Sequence, residues 1–410
     1  MVPEGWKLDY PTELVSFFSG FAFKSTDSVD AGVRWLKIAN VGIGEVKWDD
    51  ESYLPQHFQE CYHRFYLQVG DIVVAMTRPT LGNHLKVAKI KDKDDEALLN
   101  QRVAKLVIKK GNDSEFVYQV FRTESIAARI NSALLGTDPP NLSVSVLRDF
   151  TIPIPPLPEQ KKIAQILSTW DQAITATERL LENSQQRKKG LMQQLLTGKK
   201  RLLGFEGEWE QVPLGSIFER VTTRNEGQST NVVTISGQQG LIRQQEFFKK
   251  SVASETLDNY FLLKKGQFAY NKSYSNGYPM GAIKRLNRYD DGVVTTLYIC
   301  FELADEHAAN SDFYEQYFES GLLNQGLMQV AHEGGRAHGL LNVKPSDFFS
   351  LMLQKPDIDE QKAIANVLCI ADSEIDAQKA RLEQLRSEKR ALMQQLLTGK
   401  RRVQVETEAA

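Results

Sequence analysis

The stretch that decides the fold is EQKKIAQILSTWDQAITATERLLENSQQRKKGLMQQLLTGKK at residues 159–200. It returns at residues 360–401 as EQKAIANVLCIADSEIDAQKARLEQLRSEKRALMQQLLTGKR. The copies align without a gap at an offset of 201 residues and are identical at 21 of 42 positions. A repeat of this strength means that the chain is built twice. We therefore expect five parts: a first domain 1–157, a spacer helix 158–203, a second domain 204–355, a second spacer helix 356–402 and a tail 403–410.

Both copies carry apolar residues at alternating spacings of four and three, which is the heptad pattern of a coiled coil. Prolines precede each copy and Gly198 and Gly399 follow, as expected for helix start and stop signals. The predicted seam consists of Ile163, Leu167, Trp170, Ile174, Leu181, Leu191 and Leu195 in the first helix, and Ile364, Leu368, Ile375, Leu382, Leu385, Leu392 and Leu396 in the second. Two ordinary amphipathic helices, each packed on its own domain, are the alternative.

The order of the segments predicts the direction of the helices. The first helix leads from the first domain to the second, so a second helix that packs on it must run back. The result is an antiparallel coiled coil with one domain at each end, a pseudo-twofold arrangement with circular connectivity. A symmetric register places Trp170 near Lys389 and Lys188 near Ala371, with the lysine stems covering apolar surface and their charges reaching water.

The two variable segments are similar in length but hardly alike in sequence, apart from Trp6 and Trp209 near their starts. Residues 33–38, 71–76 and 102–108 are strand-like in the first, and 115–134 look helical. In the second, 232–236, 267–270 and 293–303 are strand-like, and 312–328 look helical. The fold class is therefore α+β, with two mixed α/β domains separated by two long helices.

Composition excludes several classes of protein. Hydrophobic residues make up 41% and charged residues 25%, as in ordinary globular proteins, and no apolar run is long enough for a membrane span. Three cysteines lie far apart, which favours reduced thiols in the cytoplasm and leaves a four-ligand zinc site incomplete.

Nucleotide-binding glycine motifs and the H-E-x-x-H pattern are absent, so we expect no catalysis, metal or cofactor in this chain. Asp138-Pro139-Pro140-Asn141 lacks the aromatic residue of a base-flipping methyltransferase loop, and we interpret it as a turn.

This organisation resembles the specificity (S) subunit of type I restriction–modification enzymes. The most specific parts are PLPEQKKIAQIL at 156–167, with DIDEQKAIANVL at 357–368, and the two LMQQLLTGK stretches. The resemblance implies two target recognition domains, each reading one half of a split, asymmetric DNA sequence. It implies that the helices fix the gap and dock two methyltransferase subunits, which bind S-adenosylmethionine. Motor–nuclease subunits, which use ATP and Mg²⁺, join the full complex.

Regional charge does not by itself indicate DNA binding. The net charge is −2 for residues 1–157, +5 for 158–203, −4 for 204–355 and −1 for 356–410. Binding to phosphates therefore requires local basic faces or basic partner subunits. Two rival hypotheses remain open: an adaptor that binds only proteins through a coiled-coil spacer, and a divergent DNA methyltransferase.

Direct reading of bases needs polar and basic side chains on loops that reach the groove edges. Candidate DNA-binding residues with these properties are Asn40, Arg78, Asn83, His84, Lys86, Ser236, Arg243, Tyr270, Asn271, Lys272, Tyr274, Asn276, Arg336 and His338. The loop at 270–278, which alternates tyrosines with polar readers, is the strongest of them. Candidate partner-docking residues are the duplicated pairs Glu159, Gln160, Glu360 and Gln361.

Overall fold

The computed structural model describes residues 2–136, 138–247, 257–275, 277–331 and 341–405. The chain divides into two compact units. Unit 1 comprises Met1–Glu178 and Arg381–Ala410, and unit 2 comprises Arg179–Ala380. Each unit therefore contains one variable segment, the first part of the long helix that follows it, and the last part of the other long helix.

Unit 1 contains the strands β1 (Lys7–Asp9), β2 (Val15–Ser19), β3 (Val33–Leu36), β4 (Tyr53–Leu54), β5 (Ile72–Ala75), β6 (Thr80–Leu81), β7 (His84–Leu85), β8 (Val87–Lys89), β9 (Leu98–Leu99), β10 (Val103–Ile108) and β11 (Ile152–Ile154). Its main sheet has four antiparallel strands in the order β2-β10-β5-β8, with β1 paired to β11, β3 between β4 and β9, and β6 paired to β7. The helices are α1 (Phe58–Cys61), α2 (Ser114–Phe121), α3 (Glu124–Ala133) and the long α4 (Leu157–Leu195), which continues into unit 2.

Unit 2 repeats that plan with the strands β12 (Glu210–Pro213), β13 (Phe218–Val221), β14 (Val233–Ser236), β15 (Gly240–Arg243), β16 (Phe261–Lys264), β17 (Phe268–Asn271), β18 (Ala282–Arg285), β19 (Asp291–Val294), β20 (Ile299–Leu303) and β21 (Met352–Lys355). They form the sheet β13-β20-β17-β18 and the pairs β12-β21, β14-β15 and β16-β19. Its helices are α5 (Gln244–Phe247), α6 (Ser311–Glu319), α7 (Asn324–Val330), α8 (Pro345–Phe349) and the long α9 (Ile358–Leu396), which continues into unit 1.

The mixed α/β class and the two long helices are confirmed, but three predicted elements are each split in two. The helix expected at 115–134 is α2 and α3, because Thr123 lies between them and its side chain accepts a hydrogen bond from Ile126 N at 3.3 Å. Such a cap begins a new helix. The helix expected at 312–328 is α6 and α7, and the strand expected at 293–303 is β19 and β20, with a turn between them.

The two long helices, 39 residues each, run antiparallel in both units. In unit 1, Asp171 Oδ1 lies 2.6 Å from Lys389 Nζ, and further along Glu178 pairs with Arg386 at 2.8 Å. None of the fourteen residues predicted for the seam is exposed. In each unit the apolar residues near the ends of the long helices belong to the same hydrophobic core as the domain, as Ile163 and Leu396 do in unit 1 and Leu195 and Ile364 do in unit 2.

We predicted that the charges of the two seam lysines would reach water, but both are largely buried. The side chain of Lys389 is only 6% exposed and that of Lys188 is 16% exposed, and each pairs with an aspartate of the opposite helix. In unit 2 the Lys188 Nζ–Asp372 Oδ1 distance is 2.6 Å. A buried charge requires such a partner. Burial, reinforced by the charge of nearby Arg122, lowers the pKa of Lys389 to about 8, although Asp171 opposes this shift.

The same two aspartates also hold a helix of each domain. Gln119 in α2 donates to Asp171 Oδ2 at 2.8 Å, and Gln316 in α6 donates to Asp372 Oδ2 at 2.7 Å. Each aspartate therefore joins α4, α9 and one domain helix through charge-assisted hydrogen bonds.

A second duplicated contact, which we name the helix-start clasp, joins three distant parts of each unit. In unit 1 the buried carboxylate of Glu159, at the start of α4, accepts from Trp6 Nε1 at 3.0 Å and from Arg402 Nε at 3.3 Å. Arg402 follows the end of α9, where Gly399 adopts φ +74°. A Cβ on Gly399 would lie 2.6 Å from Pro3 Cγ, so this turn accommodates only glycine without rearrangement.

The helix-start clasp of unit 2 uses the equivalent residues. Glu360 accepts from Trp209 Nε1 at 2.9 Å, and Arg201 Nε and Nη2 lie 2.6 Å from its two carboxylate oxygens. Gly198, at φ +69°, packs its backbone against the Trp209 ring. Each clasp thus ties the start of one long helix to the tail of the other, which fixes their antiparallel register.

We expect Glu360→Gln to lower the free energy of unfolding by about 2 kcal/mol, because it removes the charge from a buried carboxylate that holds Arg201. Urea denaturation measures the effect. Glu182→Gln, an exposed helix residue, serves as the control and should stay within about 0.5 kcal/mol of the parent. Equal stability of the two variants would contradict a stabilising clasp.

Candidate nucleic-acid interface

Two loops leave the equivalent strand of the two main sheets. Loop 1, residues 76–86, connects β5 to β8, and loop 2, residues 272–281, connects β17 to β18. Because β5 and β17 hold the same position in the strand order, the loops lie at the same end of their sheets. Both contain residues that the sequence predicted to read DNA, so these two candidate loops occupy equivalent positions in the two units.

Loop 1 is supported by the turn at 138–142. Thr77 Oγ1 donates to Asn141 Oδ1 at 2.7 Å, and Arg78 N donates to Pro140 O at 2.8 Å. Arg78 is exposed and adopts φ +48°, a region that non-glycine residues rarely occupy. The Asp-Pro-Pro-Asn turn therefore orients this loop, a role that sequence analysis did not assign to it.

Each loop carries a lysine that has a second cation nearby, and neither cation has an acidic partner among the described residues. Burial lowers the pKa of Lys86, and the charge of Arg78 lowers it further. In loop 2, burial and the charge of Arg220 act in the same way on Lys272. Neighbouring cations without acidic partners at the surface attract an external anion, and phosphate groups of DNA supply one. Arg220, which lies on β13, was not among the predicted readers.

The other predicted loop residues differ in accessibility. Asn83 and Tyr274 are exposed, and His84 is half-buried beside the tip of loop 1. Asn271, at the end of β17, is half-buried and its Oδ1 accepts from Ser273 N at 3.0 Å. Asn83 and Tyr274 are therefore the polar residues best placed to meet a ligand.

Two predicted readers are structural residues instead. Asn40 is 2% exposed; its Oδ1 accepts from Lys37 N, and its Nδ2 donates to two carbonyl oxygens. Tyr270 is fully buried, donates its hydroxyl to Met280 O at 2.8 Å and stacks on Phe348. Burial raises the pKa of Tyr270. Neither side chain has a free polar atom at the surface.

Further candidates lie on the β14–β15 hairpin. Ser236 is buried and its hydroxyl oxygen accepts from Gln239 N at 3.2 Å, so it is also a turn residue. Arg243 is exposed, donates to Asn231 Oδ1 at 3.1 Å and lies over the Tyr289 ring. Asn276, Arg336 and His338 lie outside the described residues.

The four predicted docking residues are not free to meet a partner. Glu159 and Glu360 are the acceptors of the clasps. Gln160 Oε1 accepts from Asp113 N, the cap residue of α2, and its Nε2 donates to Pro155 O. Gln361 makes the matching bonds to Asn310 N and Pro356 O. All four side chains are at least 96% buried. The pairs are therefore duplicated because they make the same internal contacts in each unit.

Comparison with known proteins finds similarity to one family. The family model described as type I restriction modification DNA specificity domain matches residues 44–183. The MjaVIII specificity subunit of Methanocaldococcus jannaschii is 36% identical over 202 residues, which cover 49% of this chain and 48% of that protein. The putative MjaX specificity subunit of the same organism is 24% identical over 98% of this chain and 95% of its own length. Over these residues the chain is similar to type I restriction enzyme specificity subunits.

Other similarities agree in fold. The EcoAI specificity subunit of Escherichia coli is 31% identical over 44% of this chain, and the chain spans about half or less of the length of the first two curated relatives that it matches. The S subunit of a type I restriction–modification system from M. genitalium matches 97% of this chain with a TM-score of 0.60 at 15% identity. At that identity the likeness supports the fold alone.

No helix in the described part of the chain is long and apolar enough to cross a membrane. The same residues contain no group of three or more His, Cys, Asp or Glu side chains arranged to hold a metal ion.

We expect Asn40→Ala to lower the free energy of unfolding by about 2 kcal/mol, because it leaves a buried N–H and two carbonyl oxygens without their partner. Asn83→Ala is the matched control, since Asn83 is exposed and should change stability by less than about 0.5 kcal/mol. Thermal or urea unfolding distinguishes the two. A destabilising Asn83→Ala with a neutral Asn40→Ala would reverse the assignment.

Proposed function

We propose that this chain is the DNA-recognition subunit of a type I restriction–modification complex and has no catalytic activity of its own. Each unit reads one half of a split DNA target. The observation that carries the proposal is that two units of one topology present different loops, with unneutralised cations, at the same position of the sheet. Different loops on one scaffold suit two different half-sites, and hence an asymmetric target.

The proposed partners follow from the family. Two methyltransferase subunits, which bind S-adenosylmethionine, dock on the long helices, and motor–nuclease subunits that use ATP and Mg²⁺ join the full complex in the cytoplasm. Since the duplicated glutamate and glutamine side chains are buried, docking uses exposed neighbours at the helix starts, such as Lys161 and Lys162 on α4 and Lys362 on α9. The net charges of −2 and −4 in the two variable segments support a role for basic partners in holding DNA.

Exchanging residues 1–157 for the first variable segment of another specificity subunit should change one half of the recognised sequence and leave the other intact. Mapping methylated adenines in cells that express the hybrid with its methyltransferase subunits measures this. The reciprocal exchange of 204–355 is the control and should alter the opposite half. A change of both halves in either hybrid would refute independent reading.

Inserting seven residues into both α4 and α9 should lengthen the gap between half-sites by about three base pairs, because seven helical residues span about 10.5 Å. The readout is again the methylated sequence. An insertion in α4 alone should abolish recognition, since it breaks the register that the clasps fix. An unaltered gap in the double insertion would refute the role of the helices as a spacer.

The same reagents test the rival functions. Methyl transfer from S-adenosylmethionine to DNA by this chain alone would favour a divergent methyltransferase. Absence of sequence-selective DNA binding even with methyltransferase subunits present would favour a protein-binding adaptor.

A further inference from the structure

Each loop exposes one large apolar side chain beside its tip. The exposed fraction of the side chain is 64% for both Leu81 in loop 1 and Tyr274 in loop 2. A single exposed apolar residue is ordinary on a protein surface. Here, however, two loops of unrelated sequence present one each, at equivalent positions in the two units.

The exposure of Leu81 is imposed by the hairpin that carries it. Thr80 pairs with Leu85, and Leu81 pairs with His84. Side chains alternate between the two faces of a hairpin. Leu85 is 1% exposed and Thr80 bonds to Asn131, so this pair faces the protein and the pair Leu81–His84 faces outward.

Loop 2 reaches the same result with a different hairpin. Ser275 bridges to Tyr278, whose hydroxyl donates to Gly237 O at 2.8 Å and so points inward. Tyr274, the preceding residue, therefore points outward by the same alternation. Its hydroxyl has no hydrogen-bond partner among the described residues, and its exposed surface is available to a ligand.

The surroundings of both side chains favour a nucleic acid as the occupant. Arg78 and Lys86 lie in the loop that carries Leu81, and Lys272, with Arg220 nearby, lies in the loop that carries Tyr274; none of the four forms an ion pair with a described residue. An apolar side chain flanked by free cations matches DNA, which offers apolar base faces between phosphates. Proteins that distort DNA insert such side chains between base steps.

We propose that Leu81 and Tyr274 act as wedges, each pressing against the base stack of its own half-site and parting one base step. The inference rests on the proposed function and adds a distortion of the DNA to the reading of its sequence. Specificity then depends on how easily that base step is unstacked, in addition to hydrogen bonds with base edges. The wedge is an aliphatic side chain in one half-site and an aromatic ring in the other.

The test uses the full chain in complex with its methyltransferase subunits and a duplex that carries the mapped target. 2-Aminopurine, which pairs with thymine, replaces one adenine at a time in either strand, except the methylated adenines, since its fluorescence rises when it is unstacked. We expect a several-fold rise at one step in each half-site. Leu81→Ala should abolish only the rise in the half-site of unit 1, and Tyr274→Ala only that in the half-site of unit 2, each with about tenfold weaker binding.

Matched variants separate a wedge from other roles. Tyr274→Phe keeps the ring without the hydroxyl, and Leu81→Met keeps an apolar side chain of similar size, so both should retain the rise and the affinity. Val69→Ala removes an equally apolar side chain, 51% exposed, at the opposite end of β5 and should change neither. A loss of fluorescence in Tyr274→Phe would assign the effect to the hydroxyl and overturn the wedge.

The outcomes distinguish this inference from the proposed function. Tight, sequence-specific binding without a fluorescence rise at any tested step would overturn the wedges and leave the recognition function standing. A rise that persists in both alanine variants would do the same. Failure of the parent complex to bind the mapped target selectively would overturn both.

Discussion

The structure depends on a buried glutamate at the start of each long helix. Glu159 and Glu360 are removed from water, and an unpaired carboxylate there would be strongly destabilising. Each accepts hydrogen bonds from a tryptophan at the start of its domain and from an arginine in the tail of the other helix. Meeting that one electrostatic requirement brings three distant parts of the sequence together, twice.

The aspartate–lysine pairs extend the same constraint along the helices. Asp171 with Lys389 and Asp372 with Lys188 fix the stagger of the two helices, and the glutamines of α2 and α6 tie the domains to them. Polar groups inside a helix pair permit few alternative alignments, because a shifted register leaves charges unpaired. The rigidity that the proposed function requires therefore comes from buried charges as much as from apolar packing.

Sequence reasoning was most reliable where a pattern repeats. The heptads and the offset of 201 residues predicted both helices, their seam and their direction, because the burial period of a helix is written directly in its sequence. It was less reliable for single residues in loops. Asn40 and Tyr270 have the polar groups of readers but use them internally, and burial depends on which distant elements pack against them. The unneutralised charge of Arg220 beside Lys272 was invisible for the same reason, since the two are 52 positions apart.

The sequence by itself determined the duplicated architecture, the α+β class and the long helices, since repeats, heptads and helix caps are local properties of the chain. The tertiary structure alone decided what the duplicated glutamate and glutamine pairs do, and which loop residues face outward. It also revealed that loops 1 and 2 are equivalent, although their sequences differ. The physical reason is that burial, charge pairing and hairpin alternation arise between residues far apart in sequence, and only the folded chain brings them within bonding distance.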